Sequence, residues 1–294
     1  MDKKLSIYVK KQKALIDRAL NQYLPPGRSA YLARVMRYSV FAGGKRFRPI
    51  LMLAVAQALG KPANFILPAA CAIELFHTFT LIHDDLPCMD DDDFRRGKLT
   101  AHKKFGEAAA VLAGDALQAL SYEILLKETN GVPAPALGSA ILCMLEAAGS
   151  NGVVAGQMLD LQSENRQIDL KTLKLIHAQK TGALIGAAVK IAAVLCGAHL
   201  DRIRRLEKYA EHLGLAFQIA DDLLDCTSSF AKMGKKPGSD RRRCKSTYVS
   251  LLGIEKARQL LKQEHKKALS AVAGLGNKNF WLKALADFVV VREE

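Results

Sequence analysis

Apolar residues return every three to four positions along most of the chain, in segments dominated by Ala and Leu. Runs in which Val, Ile or Thr alternate with polar residues between tight Asn-Gly or Asp-Gly turns are missing. The pattern predicts an all-α protein with helices over 5–23, 29–42, 49–59, 64–85, 101–128, 134–150, 153–164, 169–196, 200–225, 248–251, 254–273 and 278–291. Breakers fall where a bundle needs turns: Pro25-Pro26-Gly27, Gly43-Gly44, Gly60-Lys61-Pro62, Asn130-Gly131-Val132-Pro133, and Gly274 to Asn277. No linker or low-complexity stretch separates two halves, so residues 1–294 are expected to form a single domain, a large helical bundle.

Two predicted helices are apolar on nearly every side, which in a soluble protein marks a central position. They cover Leu67 to His83 and Leu213 to Leu224, and both end in paired carboxylates. The first runs into Asp84-Asp85, with Asp90 to Asp93 following; the second carries Asp221-Asp222, with Asp225 one turn on. At 100° per residue, Gln218, Asp221, Asp222 and Asp225 share one narrow face, roughly opposite Leu206, Leu213, Phe217, Ala220 and Leu224. Crowded carboxylates need a cation, and an all-oxygen donor set favours hard Mg²⁺ or Mn²⁺ over zinc. An EF-hand is excluded, because neither cluster has the Gly-containing twelve-residue loop closed by Glu.

Composition turns this picture toward phosphate. The 43 Lys plus Arg against 29 Asp plus Glu leave a net charge of +14, which calls for an anionic partner. Basic residues punctuate the neighbourhood of the acidic runs: Lys45-Arg46-Phe47-Arg48 before one helix, Arg95-Arg96-Gly97-Lys98 straight after the first run, then Lys180-Thr181, Lys235-Lys236 and Lys245. Arg forks suit phosphate oxygens, and a cation-bridged diphosphate needs carboxylates on the metal and basic groups on its free oxygens.

Other chemistries find little support. The six cysteines are scattered without a CxxC pair, which fits a reduced cytoplasmic protein. Glu74-Leu75-Phe76-His77 is a lone E-x-x-H, whereas a di-iron bundle needs two, so His77 reads as a core or pocket group two turns before Asp84. The basic N-terminal segment lacks an export signal, and the longest apolar stretch, 183–197, is interrupted by Lys190, so no membrane insertion is expected. A nucleic-acid binder is suggested by charge alone and lacks stacking aromatics and a long basic stripe.

Taken in order, these motifs resemble those of the trans-prenyl diphosphate synthases, and most closely the bacterial farnesyl diphosphate group. The resemblance rests on Gly43-Gly44-Lys45-Arg46-Phe47-Arg48-Pro49, Asp84-Asp85-Leu86-Pro87-Cys88-Met89-Asp90 with Arg95-Arg96, Leu112-Ala113-Gly114-Asp115, Gly156-Gln157-Met158-Leu159-Asp160-Leu161, Lys180-Thr181-Gly182, and Asp221-Asp222-Leu223-Leu224-Asp225 followed by Gly234-Lys235 and Lys245-Ser246-Thr247-Tyr248. It implies an all-helical bundle around a central cavity, normally a homodimer, with the two Asp motifs facing each other across its mouth. Candidate metal residues are then Asp84, Asp85, Asp90, Asp221, Asp222 and Asp225, for three Mg²⁺ ions on an allylic diphosphate. Arg95, Lys180, Lys235 and Lys245 match the family's contacts to dimethylallyl or geranyl diphosphate; Lys45, Arg48, His77 and Arg96 match its isopentenyl diphosphate site. The Lys180 carbonyl, the Thr181 hydroxyl and Gln218 would stand beside an allylic cation, and no protein nucleophile is required.

Product length in that family depends on side chains upstream of the first Asp motif, here Phe79 and Thr80. The Phe79 ring is expected to stop growth at C15, giving farnesyl diphosphate. Geranylgeranyl synthesis is the nearest rival, because the segment from Leu86 through Arg96 is also typical of C20 producers. A terpene cyclase would share the acidic motifs but has no need of Lys45 and Arg48 for a second diphosphate.

Overall fold

The computed structural model describes residues 2–24, 27, 29–227 and 246–291. Its helices, in chain order, are α1 (Lys3–Tyr23), α2 (Ala30–Val40), α3 (Phe47–Ala58), α4 (Ala63–Asp84), α5 (Ala101–Phe105), α6 (Glu107–Glu128), α7 (Ala134–Ala148), α8 (Val153–Gln162), α9 (Leu170–His177), α10 (Ala183–Leu195), α11 (Leu200–Thr227), α12 (Tyr248–Leu252), α13 (Ile254–Ala273) and α14 (Phe280–Val291). The all-α expectation holds, and the differences from it are local.

Each departure has a backbone cause. The helix expected over 101–128 is cut at Gly106, whose φ of 89° no helix accepts, leaving α5 and α6. The stretch expected as one helix over 169–196 contains a π-helical turn, Ala178–Gly182, between α9 and α10. A two-stranded ribbon, β1 (Phe94–Arg95) and β2 (Lys98–Leu99), follows the acidic run and escaped the sequence reading. Its two-residue turn is Arg96-Gly97, with φ of 53° and 76°, the geometry that matches strand twist. Arg is an uncommon choice there, so the usual Asn-Gly signal is absent.

The core forms around α3, α4 and α10, which are buried on almost every side. α4 packs between α3 and α6, and α11 lies between α10 and α13. Cys71, Ile73, Leu75 and Phe76 on α4 are fully buried; each large apolar side chain so placed contributes about 1.5–3 kcal/mol. Among the described residues, four helical stretches are long and apolar enough to cross a bilayer by length and composition, Ala63–Asp84 among them. In the folded chain most of α4 is instead covered by protein. Both acidic helices keep their C-terminal ends at the same end of the bundle.

Candidate active site

A cavity of about 760 Å³ opens between those ends. Asp84 and the loop residues Asp90 and Asp92 face it from the α4 side, and Asp221, Asp222 and Asp225 face it from α11. The loop folds back over the end of α4 because the Asp90 N–H donates to the Asp84 carbonyl at 2.8 Å and those of Met89 and Asp91 to Leu86 at 2.9 and 3.0 Å. Burial, helped by the negative charges of Asp90 and Asp85, pushes the Asp84 carboxyl up to about 6. Among the described residues no three His, Cys, Asp or Glu side chains form a ready-made metal cage. Mg²⁺ keeps waters and takes substrate phosphates as ligands, and the carboxylates of Asp84, Asp90, Asp221 and Asp225, all oxygen donors, line the site.

Two expected metal residues have other partners. Asp85 does not line the cavity: it is buried and receives the Arg95 fork, Nε to both oxygens at 2.7 and 2.9 Å and Nη2 to Oδ1 at 2.5 Å. It therefore reaches the cavity through Arg95. Asp222 is buried at the cavity edge, and its Oδ2 accepts the Tyr248 N–H at 2.7 Å, clasping the start of α12 onto α11. Helical periodicity placed both on acidic clusters but could not show which neighbours would claim them.

The basic groups divide into two sets. On one side the N-terminal turn of α3 presents Arg48, whose Nη1 donates to His77 Nε2 at 3.1 Å. Burial, and then the adjacent Arg48 cation, hold His77 well below the ordinary imidazole range, so the ring is neutral and accepts. Burial also pushes Arg48 down to about 10, and its Nε has no hydrogen-bond partner. Lys45 is exposed at the rim, 5.7 Å from the Phe288 ring. The Arg96 guanidinium donates to the Gly43 carbonyl and fills the space where a side chain on Gly44 would stand.

On the other side the π-helical turn carries Lys180 and Thr181 into the cavity, with Gln218 from α11 nearby in its wall. Lys180 Nζ pairs with Asp160 of α8 at 2.7 Å. α8 comes so near because position 156 is glycine: a methyl there would overlap the backbone of Lys180 and Gln179. Lys235 and Lys245 lie outside the described residues. Asp160 sits in a motif that the sequence flagged without a role; its signal was the four-residue spacing from Gly156.

The two chain-length candidates are placed differently. His77, Thr80, Leu81 and Asp84 line the cavity, whereas Phe79 does not; its ring packs edge-on against Phe76 and His83 at 5.2 and 4.8 Å. Five residues before Asp84 is about 1.4 turns, roughly 140° round the helix, while four residues is about 40°. Thr80 is the chain-length candidate that lines this cavity.

An all-helical bundle that sets two acidic helix ends against two basic sets around one pocket defines an enzyme of diphosphate chemistry. Residues 29–278 match the model of the family described as "Polyprenyl synthetase". The chain is 42% identical, over the full length of both, to a farnesyl diphosphate synthase of Bacillus subtilis (strain 168), and 43% identical, over 98% of its length and 96% of the relative's, to a geranylgeranyl diphosphate synthase of Cyanophora paradoxa. A solved structure of an FPP/GFPP synthase from Zymomonas mobilis superposes with a TM-score of 0.88 at 37% identity, covering 98% of this chain and 99% of that one. The chain belongs to the polyprenyl synthetase family and is a prenyltransferase that makes prenyl diphosphates.

Proposed function

We propose that the protein condenses isopentenyl diphosphate head-to-tail with dimethylallyl and then geranyl diphosphate, in a Mg²⁺-dependent reaction, to give farnesyl diphosphate. The observation that carries this reading is the pair of acidic helix ends sharing one cavity with two separate basic sets. One allylic diphosphate fits between Asp84, Asp90, Asp221 and Asp225, with Lys180 and Arg95 on its free oxygens. The second diphosphate fits against Lys45, Arg48 and Arg96, with neutral His77 fixing the Arg48 fork.

Mg²⁺ bound to those carboxylates supplies charge neutralisation for the departing diphosphate. The chain's own part is to aim dipoles at the carbon that turns positive: the Lys180 carbonyl, the Thr181 hydroxyl and Gln218 stand ready without reorganising. Val153, Ile176, Leu184 and Phe217 give that region apolar walls that keep water from the cation. The isopentenyl double bond attacks this cation, and the departed diphosphate takes the proton.

Farnesyl diphosphate is supported by the B. subtilis relative. The C20 reading is favoured by one observation, that Phe79 faces away and the small Thr80 stands in the wall. Product chromatography with dimethylallyl, geranyl and farnesyl diphosphate as primers decides: farnesyl diphosphate should be inert, and elongation of it to C20 would move the assignment. Thr80→Phe should then shorten the main product by one five-carbon unit, and an unchanged product would remove Thr80 from the length-setting wall.

We further place the protein in the cytoplasm as a homodimer. The described cysteines Cys71, Cys88, Cys143, Cys196 and Cys226 are free thiols, which suits a reducing compartment. Leu112 and Leu126 on α6, Leu142 and Leu145 on α7, and Val154 and Met158 on α8 stand exposed, an apolar surface suited to a second copy. Sedimentation equilibrium should give twice the chain mass; a monomer at micromolar concentration would refute the assembly.

A further inference from the structure

Between Lys45 and Arg48 lies Arg46, a side chain for which the reaction has no evident use. It is 2% exposed, and although it belongs to the cavity lining, its guanidinium is engaged by protein groups. Nη1 donates to Glu74 of α4 at 2.7 Å, Nε to Asp17 of α1 at 2.8 Å, and Nη2 to the Val40 carbonyl at the end of α2 at 2.7 Å. Arg46 is also the residue that starts α3, and its backbone is left-handed, with φ 51° and ψ 39°. A non-glycine residue stays there only when its surroundings over-determine it, and contacts from three helices do so here.

Glu74 and His77 sit one turn apart on α4, and each holds one arginine of the same short segment: Glu74 takes Arg46, and His77 takes Arg48. The lone E-x-x-H is thus a pair of sockets for Arg46-Phe47-Arg48. Gly43 and Gly44, with φ of 114° and 115°, carry the loop in from α2, and Arg96 pins it from the far side through the Gly43 carbonyl. We infer that Arg46 is a positioning residue for the second diphosphate: its buried fork fixes the left-handed start of α3 and thereby the directions of Lys45 and Arg48. The inference rests on the proposed reading that those two groups hold isopentenyl diphosphate. A structural need alone does not explain a buried ion pair, since apolar replacement of both partners is often neutral or stabilising, while a rigid three-way fork fixes geometry.

Removing the pair together separates position from stability. In Arg46→Met/Glu74→Met no charge is stranded on α4, and Asp17 retains Lys13 at 2.5 Å. The variant should keep its melting temperature within a few degrees of the parent, raise the KM for isopentenyl diphosphate at least tenfold, and leave the KM for geranyl diphosphate within twofold. A stable variant with an unchanged KM for isopentenyl diphosphate, or one in which both KM values rise equally, overturns the inference. Should the double variant not fold, Arg46→Lys, which cannot reach three acceptors at once, is held to the same split between the two KM values. Lys45→Ala gauges the reading beneath. If it weakens isopentenyl diphosphate and the Arg46 variants do not, the positioning role alone fails; if its KM is unchanged, the assignment of the second diphosphate site fails, and the inference with it.

Discussion

Replacing Asp84 with alanine is expected to lower kcat by about a thousandfold or more at saturating Mg²⁺ and substrates, the scale on which charge-stabilising groups act when leaving-group charge develops. Asp221→Ala should do the same from the opposite wall, because each acidic helix end lines one side of the cavity in which we propose the diphosphate sits. Retention of full turnover in either would sink the metal-site assignment. The fold should not suffer. Burial holds the Asp84 carboxyl up near 6, above the ordinary value of 3.8, so ionising it opposes the native state. Between about pH 4 and 6 the native chain binds more protons at this site than the unfolded chain, and stability falls as pH rises through that window. Asp84→Asn should therefore melt higher than the parent at pH 7 in EDTA, with the difference vanishing below about pH 4. A lower melting temperature at pH 7 would contradict the burial argument.

Gly156→Ala should be nearly as damaging to turnover, by a different route. The added methyl meets the backbone of Lys180 and Gln179, which cannot rotate aside, so α8 and the π-helical turn must separate. Overpacking of this kind costs about 1–3 kcal/mol, and a displacement near 1 Å at a positioning element can cost about a hundredfold in rate. Calorimetry and steady-state kinetics on one preparation test both effects. A lowered melting temperature with parental kcat would show that the placement of Lys180 and Thr181 does not govern the chemistry. The Lys180–Asp160 pair belongs to the same joint, since it ties the turn to α8 a single helical turn beyond Gly156.

Much of the site was legible because its acidic groups come from two short segments. Asp84 and Asp90 sit at the end of one apolar helix, and Asp221 and Asp225 are one turn apart on another, so helical periodicity places them without knowledge of packing. Lys45, Arg48 and His77 were legible as motif members, yet Arg46 looked identical to its basic neighbours. Lys45, Arg46 and Arg48 all belong to the cavity lining, and only the buried pairing with Glu74 separates Arg46 from its neighbours. The placement of Phe79 was hidden for a related reason. Proximity to Asp84 in sequence was read as proximity in space, while the helical repeat turns position 79 toward Phe76 and His83 and leaves Thr80 in the wall.

By itself the sequence determined the helical class, the order and approximate ends of most elements, and the chemical character of the acidic and basic segments. These follow from interactions within a few residues: the 3.6-residue repeat, the turn-forming glycines and prolines, and the local density of charge. Tertiary structure decided which carboxylates line the cavity and what else they hold: Asp85 is turned to Arg95 outside the lining, while Asp222 lines the cavity and also accepts the backbone N–H of Tyr248. It also decided the left-handed start of α3 and the close approach of α8 to the π-helical turn. Partners tens of residues apart settle those features, through sterics and desolvation that no local pattern encodes.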